Sequence, residues 1–424
     1  MIEKIKYLPF LLKEYRAISH FEKWSPEKIE KYQLNAFQKI FESAKKIPFY
    51  KELYESAGVL DAKINSLEDL KKLPVIDKAL CRKNGYEDYF MDRDIPGSLI
   101  TSTSGSTGKP FHIRIPERIE MTPSLKVIHA MRQFGWHPLM KGLEIWREDT
   151  STHKNFMRKT GLLKSVSIFK PLEEMKTKIE TENPDYLYSS KSYLMALADY
   201  CEEKGVNPRL KYLLCSSEEI SEGQRNRLES FFHTKLINVY GCMEAPTLGY
   251  SCPEHNQMHI FQTTVIVELI NQRFIEGEQY GDIAITNLTN NIMPFIRYQT
   301  GDVVKMPEYK CKCQRNSQII GNICGRNDNV IITPEGRVFS FHPFYCSFRS
   351  INFIDQYKIN YYKQEDLLEF VFKLKTKENN QENIELLNDV IKNDYADVQH
   401  KVKIVGRIPL SESGKFKLIE IVES

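Results

Sequence analysis

The segment from Thr101 to Pro110 has the composition of a loop that binds phosphate. It reads Thr-Ser-Thr-Ser-Gly-Ser-Thr-Gly-Lys-Pro, so hydroxyl groups, two glycines and one lysine stand close together. Glycine lets the backbone approach a ligand, and backbone N–H groups, hydroxyls and an ammonium can together hold phosphate oxygens. Strand-like residues flank the segment at 95–100 and 111–115. The pattern therefore predicts a phosphate loop between two strands.

Two other interpretations of this segment fit less well. A flexible Ser/Gly linker would seldom carry Gly-Lys-Pro at one end and strand-like residues on both sides. A Walker loop has four residues between its glycines, and its lysine is followed by Ser or Thr. Here two residues separate Gly105 from Gly108, and Pro110 follows Lys109. The segment is therefore not a Walker loop.

Length and charge limit the classes of protein that the chain can represent. Its 424 residues exceed the usual size of one hydrophobic core, so two or three domains are expected. The 59 Lys and Arg residues nearly balance the 56 Asp and Glu residues, and a net charge of +3 disfavours a nucleic-acid partner. No apolar run reaches the roughly 18 residues of a membrane span, and the start does not read as a signal peptide. The nine scattered cysteines are typical of a cytoplasmic protein with free thiols.

The middle of the chain alternates between strands and helices. Strand-like runs at 186–190, 210–215 and 235–240 are separated by helical patterns at 193–203 and 221–232. This alternation predicts a parallel sheet, in which ligands bind beyond the carboxyl ends of the strands. Two of these strands are followed by polar clusters, at 216–219 and at 241–245.

The remainder of the chain completes an α/β protein of more than one domain. The first hundred residues have mainly helical patterns, and residues of about 250–325 alternate with a period of two, as in a small β subdomain. Short strands and one helix after residue 330 indicate an α+β unit. We therefore predict a large N-terminal domain, 1–327, with a mainly parallel sheet, and a small C-terminal domain, 328–424.

Four cysteine and histidine residues have spacings that suit a metal. Cys252 and His259 form one pair, and Cys311 and Cys313 form a second pair about 50 residues later. A Cys3His set of this kind is typical of a closed, tetrahedral structural zinc site. His255 is an alternative fourth ligand and Cys324 a weaker one, while unlinked cysteines on β-hairpins are the simpler interpretation.

Several motifs occur in the order that is typical of the adenylate-forming (acyl-CoA synthetase-like, ANL) superfamily. Besides the phosphate loop they are Ser217-Glu218, Tyr240-Gly-Cys-Met-Glu244, Tyr298-Gln-Thr-Gly-Asp302, Gly325-Arg-Asn-Asp328 and Pro409-Leu-Ser-Glu-Ser-Gly-Lys415. The chain resembles this superfamily over essentially its whole length. Its closest likeness is to the branch of phenylacetate–CoA ligases, coenzyme F390 synthetases and CapK-type capsule proteins.

The resemblance implies roles for individual residues. The ATP phosphates would be held by Ser104, Gly105, Ser106, Thr107, Gly108 and Lys109, with Thr107 also counted as catalytic. Ser217, Glu218, Tyr240 and Gly241 would lie at the adenine, Asp302 would bind the ribose hydroxyls, and Arg326 would lie near the nucleotide. Glu244 would hold magnesium, Asp328 would be the hinge, and Lys415 would be the catalytic lysine, with Lys417 as the reserve candidate.

The implied reaction is the activation of a carboxylic acid by ATP. An acyl-adenylate and pyrophosphate would form, and the acyl group would pass to CoA, a carrier protein, an amine or an alcohol. Magnesium and a lysine suit this reaction because several negative charges meet at the α-phosphate. One departure is Met243, which stands where the motif has a hydroxyl and cannot donate a hydrogen bond. It supports the alternative of a nucleotide-binding protein without full adenylation activity that serves a biosynthetic assembly; a homodimer is also left open.

Overall fold

The computed structural model describes residues 6–102, 111–146, 162–216, 218, 220, 222–255, 257–275, 278–307, 311–326, 331–332, 338–339, 344, 348, 351, 353–375, 378, 380–395, 398–409 and 418–422. The α-helices within these residues are α1 Leu8–His20, α2 Pro26–Ala44, α3 Pro48–Ser56, α4 Lys78–Lys83, α5 Tyr86–Met91, α6 Thr122–Gln133, α7 Leu172–Glu182, α8 Lys191–Glu203, α9 Glu222–Phe231 and α10 Gln381–Asp394. In this part of the chain no helix has the length and apolar character of a membrane span.

The strands outnumber the helices. They are β1 Ser98–Ser102, β2 His112–Pro116, β3 Gly142–Trp146, β4 Leu163–Ser167, β5 Tyr186–Ser189, β6 Tyr212–Ser216, β7 Lys235–Tyr240, β8 Gly249–Ser251, β9 Met258–Ile260, β10 Val265–Ile275, β11 Glu278–Asn287, β12 Tyr298–Lys305, β13 Ile319–Ile320, β14 Ile323–Arg326, β15 Ile331–Ile332, β16 Val338–Phe339, β17 Ile354–Tyr362, β18 Leu367–Leu374, β19 Gln399–Ile404 and β20 Ile419–Val422.

The largest sheet has the predicted parallel centre. Its strand order is β13-β9-β8-β7-β6-β5-β3-β4, and the neighbours from β7 to β4 are parallel. Apolar clusters cover both faces, with α7, α8 and α9 on one and α1 and α6 on the other. Trp146, Ser216 and Tyr240 therefore end their strands at one edge, where parallel sheets bind ligands.

The predicted β subdomain of about 250–325 is divided between two sheets. β8, β9 and β13 extend the large sheet, whereas β10, β11, β12 and β14 form a separate antiparallel sheet. Residues 261–264 lie outside both strands, and there the chain passes from β9 in the large sheet to β10 in the antiparallel sheet. Strand β9 and residues 265–267 at the start of β10 are all buried, so the sequence alone does not indicate which sheet each one joins.

The phosphate-loop segment joins two paired strands, as predicted. β1 and β2 form an antiparallel hairpin in which Ser102 is opposite His112, and residues 103–110, outside the described residues, connect them. Near the other end of the chain, β19-β18-β17-β20 form a four-stranded mixed sheet that packs against α10. This unit has an apolar cluster drawn from residues 331–419 alone.

Candidate active site

Glu244 lies in the loop that follows β7, and hydrogen bonds hold both its side chain and its backbone. Tyr298 Oη donates a hydrogen bond to Glu244 Oε1 at 2.7 Å, and Asn287 Nδ2 donates to the backbone carbonyl of Glu244 at 2.7 Å. Burial raises the pKa of Tyr298, and the charge of Glu244 raises it further, so the phenol stays a donor. The carboxylate at the end of the parallel sheet is thus oriented by strands β11 and β12 of the neighbouring sheet.

Asp302, Tyr240 and Arg326 form a second group at the same edge. Tyr240 Oη donates to Asp302 Oδ2 at 2.5 Å, and Arg326 Nη1 lies 3.6 Å from Asp302 Oδ1. Arg326 stands opposite Asp302 across β12 and β14 and also donates to the Thr300 carbonyl at 3.1 Å. Burial and then the carboxylate of Asp302 raise the pKa of Tyr240. The structure therefore brings these three predicted residues together.

The loop between β7 and β8 is closed so tightly that residue 241 has to be a glycine. A Cβ at Gly241 would lie 2.4 Å from the backbone nitrogen of Thr247. Thr247 itself has a φ of 56°, and Leu248 N donates to the Tyr240 carbonyl at 2.7 Å. This backbone contact explains Gly241 without a ligand, so its place beside adenine stays a prediction.

Glu218 contacts a helix. Its Oε2 accepts hydrogen bonds from Ser192 N at 2.8 Å and Ser192 Oγ at 2.7 Å. Ser192 is the second residue of α8, so the carboxylate lies at the positive end of that helix. The predicted contact of Glu218 with adenine stays a prediction, and the side chain has this structural role in addition.

Aromatic residues around the large sheet lie in two different environments. Tyr188 lies at the strand edge, where its Oη is 3.1 Å from Ser216 Oγ and its ring meets Trp146 edge to face at 5.4 Å. Trp136, by contrast, packs in the buried cluster beneath α6. Trp146 and Tyr188 therefore lie at the sheet edge where parallel sheets bind ligands, whereas Trp136 belongs to the core.

The remaining predicted nucleotide and catalytic residues lie outside the described residues. They are Ser104, Gly105, Ser106, Thr107, Gly108, Lys109, Ser217, Asp328 and Lys415, together with the reserve candidate Lys417.

The four predicted zinc ligands converge. The ligand atoms of Cys252, His259, Cys311 and Cys313 all lie within 4.8 Å of one another. Cys311 Sγ is 3.6 Å from both Cys252 Sγ and His259 Nε2, and Cys313 Sγ is 3.3 Å from the same Nε2. Zn–S bonds of about 2.3 Å in a tetrahedron place ligand atoms about 3.8 Å apart. The donor set and these three distances therefore fit zinc, whereas Cys311 Sγ and Cys313 Sγ lie closer together, at 2.7 Å.

The ring of His259 is oriented for metal binding. Its Nδ1 contacts Ser317 Oγ at 2.7 Å, which directs Nε2 towards the thiols. Burial lowers the pKa of His259 to about 4, so the imidazole is neutral, as a ligand must be. Of the alternative ligands, His255 Nε2 also contacts Cys311 Sγ at 2.7 Å, whereas Cys324 belongs to a separate cluster.

Three residues at the site had not been given roles from the sequence. Tyr298 and Asn287 orient Glu244, and Lys126 donates to two carbonyls of the same loop. A place for Tyr298 at the site could have been predicted from the sequence, because it is four residues before Asp302 on one strand and so shares its face. Asn287 and Lys126 have no local pattern that sets them apart.

The chain is similar to curated ligases and to a solved ligase structure, although no family model matches it. It is 26% identical to the phenylacetate-coenzyme A ligase of Thermus thermophilus over 302 residues, 68% of this chain and 67% of the relative. It is 23% identical to that of Aromatoleum evansii over 327 residues, 73% of each chain. A crystal structure of 2-hydroxyisobutyryl-CoA ligase, in the postadenylation state with R3-HIB-AMP, aligns with a TM-score of 0.75 at 18% identity over 95% of this chain and 91% of that one.

The chain has the same fold as this solved ligase, since the alignment includes nearly the whole of both chains. The curated relatives are phenylacetate-coenzyme A ligases, the branch that the motifs of this chain resemble. The predicted resemblance to this branch and the predicted α/β fold are confirmed, and the relatives support the prediction of an AMP-forming acid ligase.

Proposed function

We propose that this protein uses ATP to convert a carboxylic acid to its acyl-adenylate, releases pyrophosphate, and transfers the acyl group to CoA. The observation that carries the proposal is the convergence of Glu244 and Asp302 at one edge of the parallel sheet, each fixed by a tyrosine. Two oriented carboxylates beside the phosphate-loop hairpin suit a nucleotide with its metal: one can accept the two ribose hydroxyls and the other can face a cation.

Magnesium fits Glu244 because carboxylate oxygens are the ligands that this ion prefers. When bound it would supply charge neutralisation at the phosphates of ATP. The residues of this chain do the rest of the work: Asp302 and Arg326 orient the nucleotide, and Ser104, Gly105, Ser106, Thr107, Gly108 and Lys109 hold its phosphates. Lys415 stabilises the charge that develops as the acid attacks.

The C-terminal unit, 328–424, rotates about Asp328 between the two half-reactions in this proposal. Support comes from polar contacts with the first domain. Lys373 of β18 pairs with Asp199 of α8, and Gln224 of α9 donates to the Asp355 carbonyl at 3.1 Å. Leu418 adds an apolar contact with the cluster that contains Val303. Polar contacts of this kind are typical of domains that move relative to each other.

Zinc has a structural role in this proposal and takes no part in the reaction. The coordination sphere of a tetrahedral zinc ion would be completed by four protein ligands, Cys252, His259, Cys311 and Cys313. No position would then be left for a substrate. The ion would tie the loop after β8 to the segment before β13. We also propose a cytoplasmic location, because the cysteines outside this cluster in the described part of the chain are free thiols.

The proposal is tested by acid-dependent ATP–pyrophosphate exchange with a wide panel of aryl, fatty, hydroxy and amino acids, followed by CoA thioester formation. Exchange with at least one acid is expected, and Glu244→Gln or Asp302→Asn should reduce it by roughly a hundredfold or more. Asp366→Asn is the matched control, because Asp366 accepts from Tyr361 Oη at 2.7 Å in a remote turn. ATP binding without exchange on any acid would favour the non-catalytic alternative that Met243 supports.

A further inference from the structure

Lys126 is a buried lysine whose ammonium lies against the loop that carries Glu244. It belongs to α6 and is only 5% exposed. Its Nζ donates to the carbonyl oxygens of Pro246 and Thr247, both at 3.0 Å. An ammonium removed from water is costly unless it makes hydrogen bonds, so these two contacts are what allow it to remain there.

The contacted carbonyls belong to a backbone turn. Thr247 has a φ of 56°, and its nitrogen packs against Gly241 at the start of the same loop. Asn287 Nδ2 holds the loop at the Glu244 carbonyl, 2.7 Å away. Lys126, in α6, holds the loop two and three residues further on, at Pro246 and Thr247. The loop is therefore fixed at two points that lie on either side of the turn after Glu244.

We infer that Lys126 is a positioning residue for the nucleotide site: by fixing the carbonyls of Pro246 and Thr247, it sets the carboxylate of Glu244 where magnesium–ATP would meet it. This inference rests on the proposed function. The contacts of its Nζ are with the loop carbonyls, so in this inference Lys126 acts through the loop and is not a catalytic residue.

Lys126 makes its hydrogen bonds with the two loop carbonyls, whereas Glu14 and Cys242 act on it through their charge. Glu14 from α1 and Cys242 from the loop both raise the pKa of Lys126, but burial outweighs them and lowers it to about 7. The Phe261 ring lies 5.7 Å from Nζ. Burial raises the pKa of Glu14, which weakens it as a partner. The hydrogen bonds to the loop are thus the contacts whose loss a substitution would test.

The experiment measures the binding of magnesium–ATP by calorimetry and the magnesium dependence of pyrophosphate exchange. The Lys126→Met substitution keeps a side chain of similar length and removes the N–H groups that donate to the two carbonyls. It should weaken magnesium–ATP binding and raise the magnesium concentration for half-maximal exchange by roughly tenfold, with exchange falling about 10- to 100-fold. Lys126→Arg, which can still donate to both carbonyls, should recover part of the loss. A Lys126→Met protein with a lower melting temperature but an unchanged magnesium requirement would overturn the inference.

Arg225→Met is the matched control for the loss of a buried cation. Arg225 in α9 donates to the Leu236 carbonyl at 2.7 Å and pairs with Glu229 at 3.3 Å, away from the loop. It should lower stability without changing the magnesium requirement. The same shift in both variants would overturn the inference, because it would follow from destabilisation alone.

A double-mutant cycle tests whether Lys126 acts through Glu244. In a Glu244→Gln background, Lys126→Met should weaken magnesium–ATP binding by less than about twofold further, because the carboxylate to be positioned is gone. A further loss as large as in the wild type would overturn the inference. Nucleotide binding needs no acid, so a wild type that binds magnesium–ATP but exchanges with no acid defeats the proposed function alone. A wild type that binds no magnesium–ATP defeats both.

Discussion

Tyr240 Oη donates a hydrogen bond to Asp302 Oδ2 at 2.5 Å, and this contact ties the end of the parallel sheet to the antiparallel sheet. The donor is neutral and the acceptor is a carboxylate, a combination that gives a strong hydrogen bond. It orients Asp302 before any nucleotide arrives, since burial keeps the phenol protonated. The relationship therefore leads to a prediction about ATP affinity.

Tyr240→Phe keeps the ring and removes only this donor. The KM for ATP should rise about three- to tenfold with little change in kcat, because a hydrogen bond to a charged group is worth about 1.5–3 kcal/mol and part of that orients Asp302. Steady-state kinetics with the acid found in the panel gives the measurement. Tyr361→Phe, which removes the bond to Asp366, is the control and should leave the KM unchanged. An unaltered KM in Tyr240→Phe would show that Asp302 needs no orientation.

Lys415 is expected to be essential for adenylation and dispensable for binding. Lys415→Ala should reduce pyrophosphate exchange by at least about a hundredfold, because a cation aimed at the reacting phosphate is lost. Calorimetry should find magnesium–ATP affinity within about threefold of the wild type. Lys417→Ala is the control for the register of the motif. If Lys417→Ala loses exchange and Lys415→Ala keeps it, the roles of the two lysines are reversed.

Cys311 is the residue through which zinc binding is best tested. Its Sγ contacts all three of the other predicted ligands, so Cys311→Ser should reduce bound zinc from about one equivalent to well below half and should lower the melting temperature. Metal analysis by mass spectrometry and thermal unfolding are the measurements. Cys201→Ala, at a buried thiol in α8, should lower stability while zinc remains. A wild type without zinc after purification in zinc-replete medium would refute the site.

Glu218 is expected to act mainly through helix α8. Glu218→Gln keeps the shape but removes the charge at the helix N-terminus, so it should lower stability by about 1 kcal/mol. Ser192→Ala removes one donor to the same carboxylate and should cost a similar amount. Chemical denaturation measures both variants. If instead Glu218→Gln raises the KM for ATP more than tenfold while Ser192→Ala does not, the carboxylate itself contacts adenine.

Patterns that are local in the chain predicted much of this molecule. The alternation from 186 to 240 gave the parallel strands, and the motif residues Tyr240, Glu244 and Asp302 do meet at one edge. Cys252, His259, Cys311 and Cys313 also converge from two segments. In each case the spacing of a few residues carries the information.

Contacts between segments that are distant in the chain could not be predicted from local sequence patterns. Residues from His259 to Asn271 alternate as one strand would, yet β9 and β10 join different sheets, because either sheet can bury such a face. Lys126 looks like an ordinary helix lysine, and only the fold brings Pro246 to within 3.0 Å of its ammonium across 120 positions. The role of a residue that depends on such a contact cannot be predicted from the sequence around it.

Lys126 should also give the stability of the protein a recognisable pH dependence. Burial lowers its pKa in the folded state to about 7, below the value near 10.4 of an unfolded lysine. Between these two values the unfolded chain binds a proton that the native protein has released, so the free energy of unfolding rises with pH.

Buried cysteines have the opposite effect above about pH 8.5, because burial raises their pKa, so the comparison needs a variant. Urea unfolding of the wild type and of Lys126→Met from pH 6 to 9 isolates the lysine. The wild-type stability minus that of Lys126→Met should increase from about pH 7 upwards. The same difference for Arg225→Met should stay flat, because a guanidinium remains charged throughout this range. A flat difference for Lys126→Met would mean that the ammonium keeps its proton in the fold despite its burial.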